Sequence, residues 1–468
     1  MKRSIWILLA LCPVLLILVL QDSPAQDIKD IIRSEQGVHI AVPDFRGGGA
    51  AQNLMSTFNQ TLWSDIAGSG VVKMVPKTSY PLTVPQQPSD FREPPPPAPE
   101  SPRSRNRSNE LVTPANGGGL WLSDWSGPPA SANYLAFGYT AVQNDVLVLS
   151  GWLYDLSRGT PANSQVIGKR YLASVDEAGA RKVAHEFAAD ILAIFGAKSL
   201  FGTKIVFVSS RSGSKEIWAM DPDGSNQRQL THFNKLSIEP TISPDGAKIA
   251  FTSYARGNPA IFIYSVDPIR QLPFYNQVAS VNETPEFTPD GKQILYSSSA
   301  SGWTQIYIAN LDGSGLRRIS SSATIEVEPK VNPKNGTDIA FVSGRSGPQQ
   351  IYRMNISGGD VERLTNGEGE ASNPSWNPDG QKLAFSWTRG YATGNWNVFW
   401  MDVASRNYVQ LTHSEGKNEN PSWAPDGVHI VFMSNRSGTS QIYSMLADGS
   451  QVQQLTTQGS NYSPVWGK

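Results

Sequence analysis

The spacing of apolar residues changes character near residue 200. From Lys204 onward, short β-branched and aromatic runs recur: KIVFVSS at 204, KIAFTSY at 248, QILYSSS at 293, DIAFVSG at 338, KLAFSWT at 382 and HIVFMSN at 429. Each is followed by an aliphatic-aromatic pair: Ile217-Trp218, Ile261-Phe262, Ile306-Tyr307, Ile351-Tyr352, Val398-Phe399 and Ile442-Tyr443. The motif PDG begins at Pro244, Pro289, Pro378 and Pro425, with a degraded copy at Pro333 to Gly336, giving spacings of 45, 44, 45 and 47. Asp-Gly is hairpin-turn chemistry, because glycine takes the left-handed conformation that the turn needs. Each unit therefore reads as four short strands, the last ending in Leu-Thr in most units, as at Leu230-Thr231 and Leu411-Thr412. Four strands in about 45 residues is the pattern of a β-propeller blade.

The repeats open at Lys204 without a first strand, and NYSPVWGK at 461 resembles the first strands NPSWNPDG at 373 and NPSWAPDG at 420. Ser463 to Trp466 is expected to complete the first blade. First strands at Pro240, Pro285, Pro329, Pro374, Pro421 and Pro464 make six blades, and closure removes the open edges that invite aggregation.

Before the repeats the pattern is that of a small α/β domain. Val38 to Phe45 alternates as a strand, and Ala51 to Ile66 sets apolar residues on one helical face. Val71 to Val75, Tyr134 to Val142, Asp145 to Leu156 and Val166 to Leu172 read as strands. Ser174 to Glu177 reads as a capping box opening a helix that Gly196 ends. The expected division is a leader at 1–25, the α/β domain at 26–199 and the propeller at 200–468. A segment at 76–119 interrupts the α/β domain with 11 prolines. Its composition predicts an extended surface insertion that buries no core.

Composition narrows the setting. Lys2 and Arg3 precede an apolar run from Ile5 to Leu20, with small Ser23 and Ala25 beyond it, in the order of a secretory leader. The single cysteine, Cys12, falls inside that leader, so no disulfide is expected afterwards. The net charge is −1, which gives no electrostatic footprint for nucleic acid. No later segment is apolar enough to span a bilayer, and a monomer is expected.

The order of leader, α/β domain opening on GVHIAVPDF, and six PDG repeats, with EPTISPDGAKIAFTS and the closing SPVWGK, resembles the TolB family of the periplasmic Tol-Pal system. The resemblance implies a non-enzymatic scaffold that binds the peptidoglycan-associated lipoprotein Pal, with a role in outer-membrane integrity and constriction at cell division. Family members also carry a short extended segment that binds TolA. Here that stretch is DIKDIIRSEQ, 27 to 36, whose pattern equally suits a short helix.

Propeller geometry then nominates a partner-binding face. The residues before each innermost strand, Glu239, Glu283, Glu326 with Glu328, Asn373 and Asn420, are expected to ring the channel mouth. Turns on the same face carry Arg211, Arg256, Arg345, Arg389 and Arg436, with Trp303 in the remaining blade. The family's Pal-binding loops match Val281, Asn282, Glu283 and Thr284, and Glu326, Val327 and Glu328. A plainer role for each arginine and glutamate is pairing within the blade. Trp303, Trp387, Tyr391 and Trp396 suit an alternative reading, direct binding of carbohydrate or peptidoglycan. No GxSxG elbow or histidine pair at metal-ligand spacing occurs, so no catalytic, cofactor or metal residues are assigned.

Overall fold

The computed structural model describes residues 37–93 and 120–468. The expected leader and the stretch at 27 to 36 lie outside the described residues. The α/β lobe is one mixed sheet built from β1 (His39–Ala41), β2 (Arg46–Gly48), β3 (Lys73–Met74), β4 (Tyr134–Gln143), β5 (Val146–Asp155) and β6 (Gln165–Ala173). Its order is β3-β1-β4-β5-β6, with β2 on the far part of β4. The three long strands are antiparallel to one another, whereas β1 runs parallel to β3 and β4.

Two long helices cover one face: α1 (Met55–Gly68) and α2 (Glu177–Ile194). The apolar spacing read from the sequence is the buried stripe, with Phe58, Leu62 and Ile66 of α1 meeting Phe187 and Ile191 of α2. The capping box is replaced by a simpler cap. Asp176 accepts from the Gly179 amide at 2.7 Å and is itself held by the Ser174 hydroxyl at 2.9 Å.

The opposite face corrects the reading of the proline-rich segment. Phe91 and Trp125 are buried there against Phe137 and Tyr154 of the sheet, with Tyr80 packed beside them. The Tyr80 hydroxyl donates to the Val75 carbonyl at 2.8 Å and accepts from the Val42 amide at 2.9 Å. Leu120 returns the chain beside Phe91 in a short parallel bridge, with Arg92 N to Leu120 O and Leu120 N to Asp90 O both at 2.9 Å. Composition alone misses this, because a few aromatics among prolines supply enough apolar area to cover a sheet. Proline also brings no backbone N–H that would need a partner there.

The rest of the described chain is six four-stranded antiparallel sheets. Blade one takes its innermost strand, Asn461–Gly467, from the far end of the repeats and pairs it with Lys204–Ser209. The Trp466 indole N–H donates to Thr203 Oγ1 at 3.0 Å, fastening that strand to the start of the ring. The Leu-Thr marker also has a physical basis. In blade one the Thr231 hydroxyl accepts from the Ile217 amide at 2.9 Å and donates to the Glu216 carboxylate. Thr365, Thr412 and Thr456 repeat the clip on Gln350, Asn397 and Gln441. In these four blades it ties the end of strand four to the buried polar residue that precedes the aliphatic-aromatic pair.

Candidate functional site: the channel mouth

The innermost strands of blades two to six are Ser237–Ile242, Asn282–Phe287, Glu326–Val331, Ala371–Trp376 and Asn418–Trp423. Each carries an irregularity in register at its middle, as does Asn461–Gly467. The residue before the proline there has positive φ in all six blades: Glu239 53°, Thr284 52°, Glu328 55°, Asn373 56°, Asn420 53° and Ser463 45°. Left-handed backbone at a non-glycine residue costs about 1 kcal/mol or more. Strain repeated six times around one axis re-aims six side chains toward the channel. Glu239, Glu328, Asn373 and Asn420 therefore do not precede the strands, as the sequence suggested. They sit inside them, lining a cavity of about 280 Å³.

The re-aimed groups bond from blade to blade. Glu239 accepts from the Thr252 hydroxyl at 3.0 Å and the Thr284 amide at 3.1 Å. The Glu328 carboxylate accepts from the Asn373 amide at 2.6 Å and side chain at 3.2 Å. Ser386 then links Asn373 to the Asn420 amide. Lys330 pairs with Glu286 at 2.7 Å, also along the channel. Burial raises the Glu239 carboxyl above the ordinary range, against the bonds from Thr252 and Thr284. Burial and the neighbouring Glu239 charge push Glu283 up to about 7. Burial also takes Glu328 to about 7, although the Asn373 amide and Lys330 pull it down. Three carboxyls here share too little compensating positive charge for all to ionise readily near neutrality.

Glu326 is placed differently. It has no exposed surface and forms an ion pair with Arg345, inside the blade. Asn282 is buried and donates to the Gln277 carbonyl at 3.1 Å, and Thr284 joins the inner ring. Val281 and Val327 are half-buried beside them.

The arginines prove to be part of the blades. Arg211, Arg345 and Arg436 each donate through Nε to the serine two residues earlier and through Nη2 to the inner strand of the same blade. Their inner-strand acceptors are Asn461, Glu326 and Asn418. All three, with Arg256 and Arg389, also lie over aromatic rings of strands two and three, and Arg389 over Tyr408 of strand four, at 4.5–5.8 Å. The basic outer ring is thus largely spoken for, and Arg256 and Arg345 are its exposed members.

Blade three departs from this pattern. Its second and third strands, Gln293–Ser301 and Trp303–Asn310, are longer than their counterparts, and Trp303 at the tip is 55% exposed. The loop entering that blade leaves Val278 91% exposed. Sequence reading passed over Val278, although the long gap between Leu272 and Asn282 marks an enlarged loop. Trp387, by contrast, is 1% exposed, packed on Phe399 and Tyr408, so it offers no face to a sugar. Among the described residues no three acidic, histidine or cysteine side chains group as a metal site, and no helix is long and apolar enough to cross a membrane.

The α/β lobe meets the other end of the ring. His429, beside the PDG turn of blade six, contacts the Gly68 carbonyl at the end of α1. Among the described residues, this hydrogen-bond contact of the lobe falls at the PDG end, while Trp303 near the opposite mouth is exposed.

The model of the TolB β-propeller domain matches residues 192–385 and 365–468, more than half of the chain. A TolB homolog of Chlorobium chlorochromatii is 38% identical over 131 residues, 28% of each chain. The Tol-Pal system protein TolB of Roseobacter denitrificans is 29% identical over 248 residues, 52% of this chain and 48% of its own length. The chain thus aligns with about a quarter to a half of the length of these curated relatives. The crystal structure of TolB from Acinetobacter baumannii shares the fold over 92% of this chain and 96% of its own, with a TM-score of 0.69 at 21% identity. Six closed blades and a matching propeller model, with a solved fold that includes the α/β lobe, lead to one conclusion: this chain belongs to the TolB β-propeller family.

Proposed function

We propose that the chain is a non-enzymatic periplasmic scaffold of a Tol-Pal system, and that it binds a Pal-like lipoprotein at the channel mouth. In this role it helps maintain the outer membrane and its constriction at division. Curated relatives named as Tol-Pal components support the setting. The observation that carries the site is blade three at this mouth, where the half-buried Glu283 carboxyl lies in the same blade as exposed Trp303. Tryptophan is among the residue types enriched in the few positions that carry most of an interface's binding energy. Division of the chain at about residue 200 belongs to the same proposal, with the lobe docked away from the binding face.

The test is calorimetric titration with the soluble domain of the Pal-like lipoprotein from the same organism. Saturable binding is expected, weakened at least tenfold by Trp303→Ala with Glu283→Lys. Glu326 and Glu328 are unsuitable for charge reversal, because Glu326 is buried in an ion pair inside its blade and Glu328 accepts the bonds that tie blade four to blade five. Absence of binding to the parent chain would overturn the proposed partner. Undiminished binding by the double variant would overturn the assigned face.

A further inference from the structure

A second cavity, of about 310 Å³, lies between the α/β lobe and the PDG face of the ring. His429 stands on its wall with both ring nitrogens engaged. Nδ1 lies 2.6 Å from Asp426 Oδ2, in its own PDG turn, and Nε2 lies 2.8 Å from the Gly68 carbonyl, across the boundary on α1. Neither a carboxylate nor a carbonyl can donate a proton. Both contacts are hydrogen bonds only when the imidazole carries two protons. Gly68 is the last residue of α1, where unpaired carbonyls and the negative end of the helix dipole favour a cation.

We propose that His429 is a proton-operated latch: the imidazolium holds the end of α1 against the propeller, and its deprotonation frees the α/β lobe to move. A neutral ring has one N–H. The carboxylate is the stronger acceptor, so the N–H stays with Asp426 and the Nε2 lone pair then faces the Gly68 carbonyl. The bond that fails is the one between the lobes.

The surrounding charges agree with this direction. Burial lowers the affinity of His429 for its proton, but Asp426 and the Gly68 carbonyl outweigh it and leave the group above its ordinary value. Burial pushes Asp426 the other way, yet His429 and two backbone amides hold it below the usual range. A raised histidine contributes docking that is complete below its unfolded value and is lost as pH climbs through the folded one. The remaining charged groups on the cavity wall are Asp65 of α1, Arg181, Lys182 and His185 of α2, and Lys198 of the connector. Lys204, Asp221 and Asp223 of the ring complete it. Most are already paired: His185 with Asp65 at 2.5 Å, Arg181 with Glu177, Lys182 with Glu186, and Lys204 with Asp221. Burial, with a smaller contribution from Asp223 of the ring, raises the Asp65 carboxyl of the lobe, and among the described residues His429 is the titrating group that hydrogen-bonds across the two parts.

The experiment places spin labels at exposed Asn53→Cys and Lys292→Cys in a Cys12→Ser background, and reads the distance distribution from about pH 5.5 to about pH 8.5. A narrow distribution at low pH that broadens as pH rises is expected. One proton permits a change of at most about tenfold per pH unit in the ratio of docked to free lobe. His429→Gln keeps a donor for the Gly68 carbonyl and cannot titrate, so its distribution should stay narrow throughout. His429→Asn reaches Asp426 but not Gly68, so it should be broad throughout. A parent distribution that ignores pH would overturn the latch, as would equal pH dependence in His429→Gln. Either result leaves lipoprotein binding at the opposite face untouched.

Discussion

Removing the guanidinium of Arg345 should cost far more than removing that of Arg256, although the two occupy matching turns. The Arg345 side chain is 29% exposed, but its partner Glu326 is fully buried. One Glu326 oxygen meets Arg345 and the Ser343 hydroxyl, while the other has no partner among the described residues. Arg345→Ala strands a buried carboxylate, a loss of about 3–5 kcal/mol in general. The partial exposure of Arg345 argues for about 3 kcal/mol here. Arg211 and Arg436 donate to the neutral amides of Asn461 and Asn418, and Glu415, 3.9 Å from Arg436, is exposed, so their removal strands no buried charge and should cost about 1.5 kcal/mol. Among the described residues Arg256 has the face of Phe262, at 5.0 Å, and its loss should cost about 0.5 kcal/mol. Urea unfolding followed by tryptophan fluorescence, with midpoints compared at constant slope, measures the series. The decisive member is Glu326→Gln combined with Arg345→Ala, which removes the stranded charge and should recover about 2 kcal/mol relative to Arg345→Ala. If Arg345→Ala proves no worse than Arg256→Ala, or if Glu326→Gln recovers nothing, the reasoning is wrong.

Two further outcomes follow from the site and the lobe. Glu283 and Glu328 bind protons more tightly folded than unfolded, so stability should fall as pH rises from about 4.5 toward about 7, where both carboxyls ionise. Glu283→Gln should flatten that slope in thermal melts across pH, and an unchanged slope would show that Glu283 does not contribute. Asp176→Ala should lower the stability of the α/β lobe by about 1 kcal/mol through loss of the α2 cap, read as faster amide exchange in the first turn of that helix.

The blades were legible because a propeller repeats its chemistry: a turn glycine, a strand and an aliphatic-aromatic pair recur at one spacing, and each mark has one structural meaning. Closure was legible because SPVWGK has the composition of an inner strand and no sheet of its own in sequence order. The interior of those strands was not. A left-handed residue before proline violates local preference, and only the crowding of six strands at the axis makes Glu239 or Asn420 adopt it. That shift moved the acidic ring from the rim into the channel. Pairing of the arginines within the blade was the plainer reading, but their partners were not legible, because serine two positions earlier and an inner-strand acceptor far away in sequence, such as Asn461 for Arg211, meet only in the folded blade. His429 looked like an ordinary strand residue, since its second partner, Gly68, lies 361 positions away.

The bridge between Phe91 and Leu120 has a consequence for how this lobe can evolve. The two ends of the proline-rich stretch are clasped side by side, and the sheet is sealed by what lies outside the clasp. The clasp itself sets Phe91 beside Leu120, whatever the length of chain that joins Glu93 to Leu120. Lengthening such a span costs only about 0.6 kcal/mol for each doubling. Related chains are free to shorten, extend or replace it, and a foreign sequence grafted there should leave the lobe's core intact.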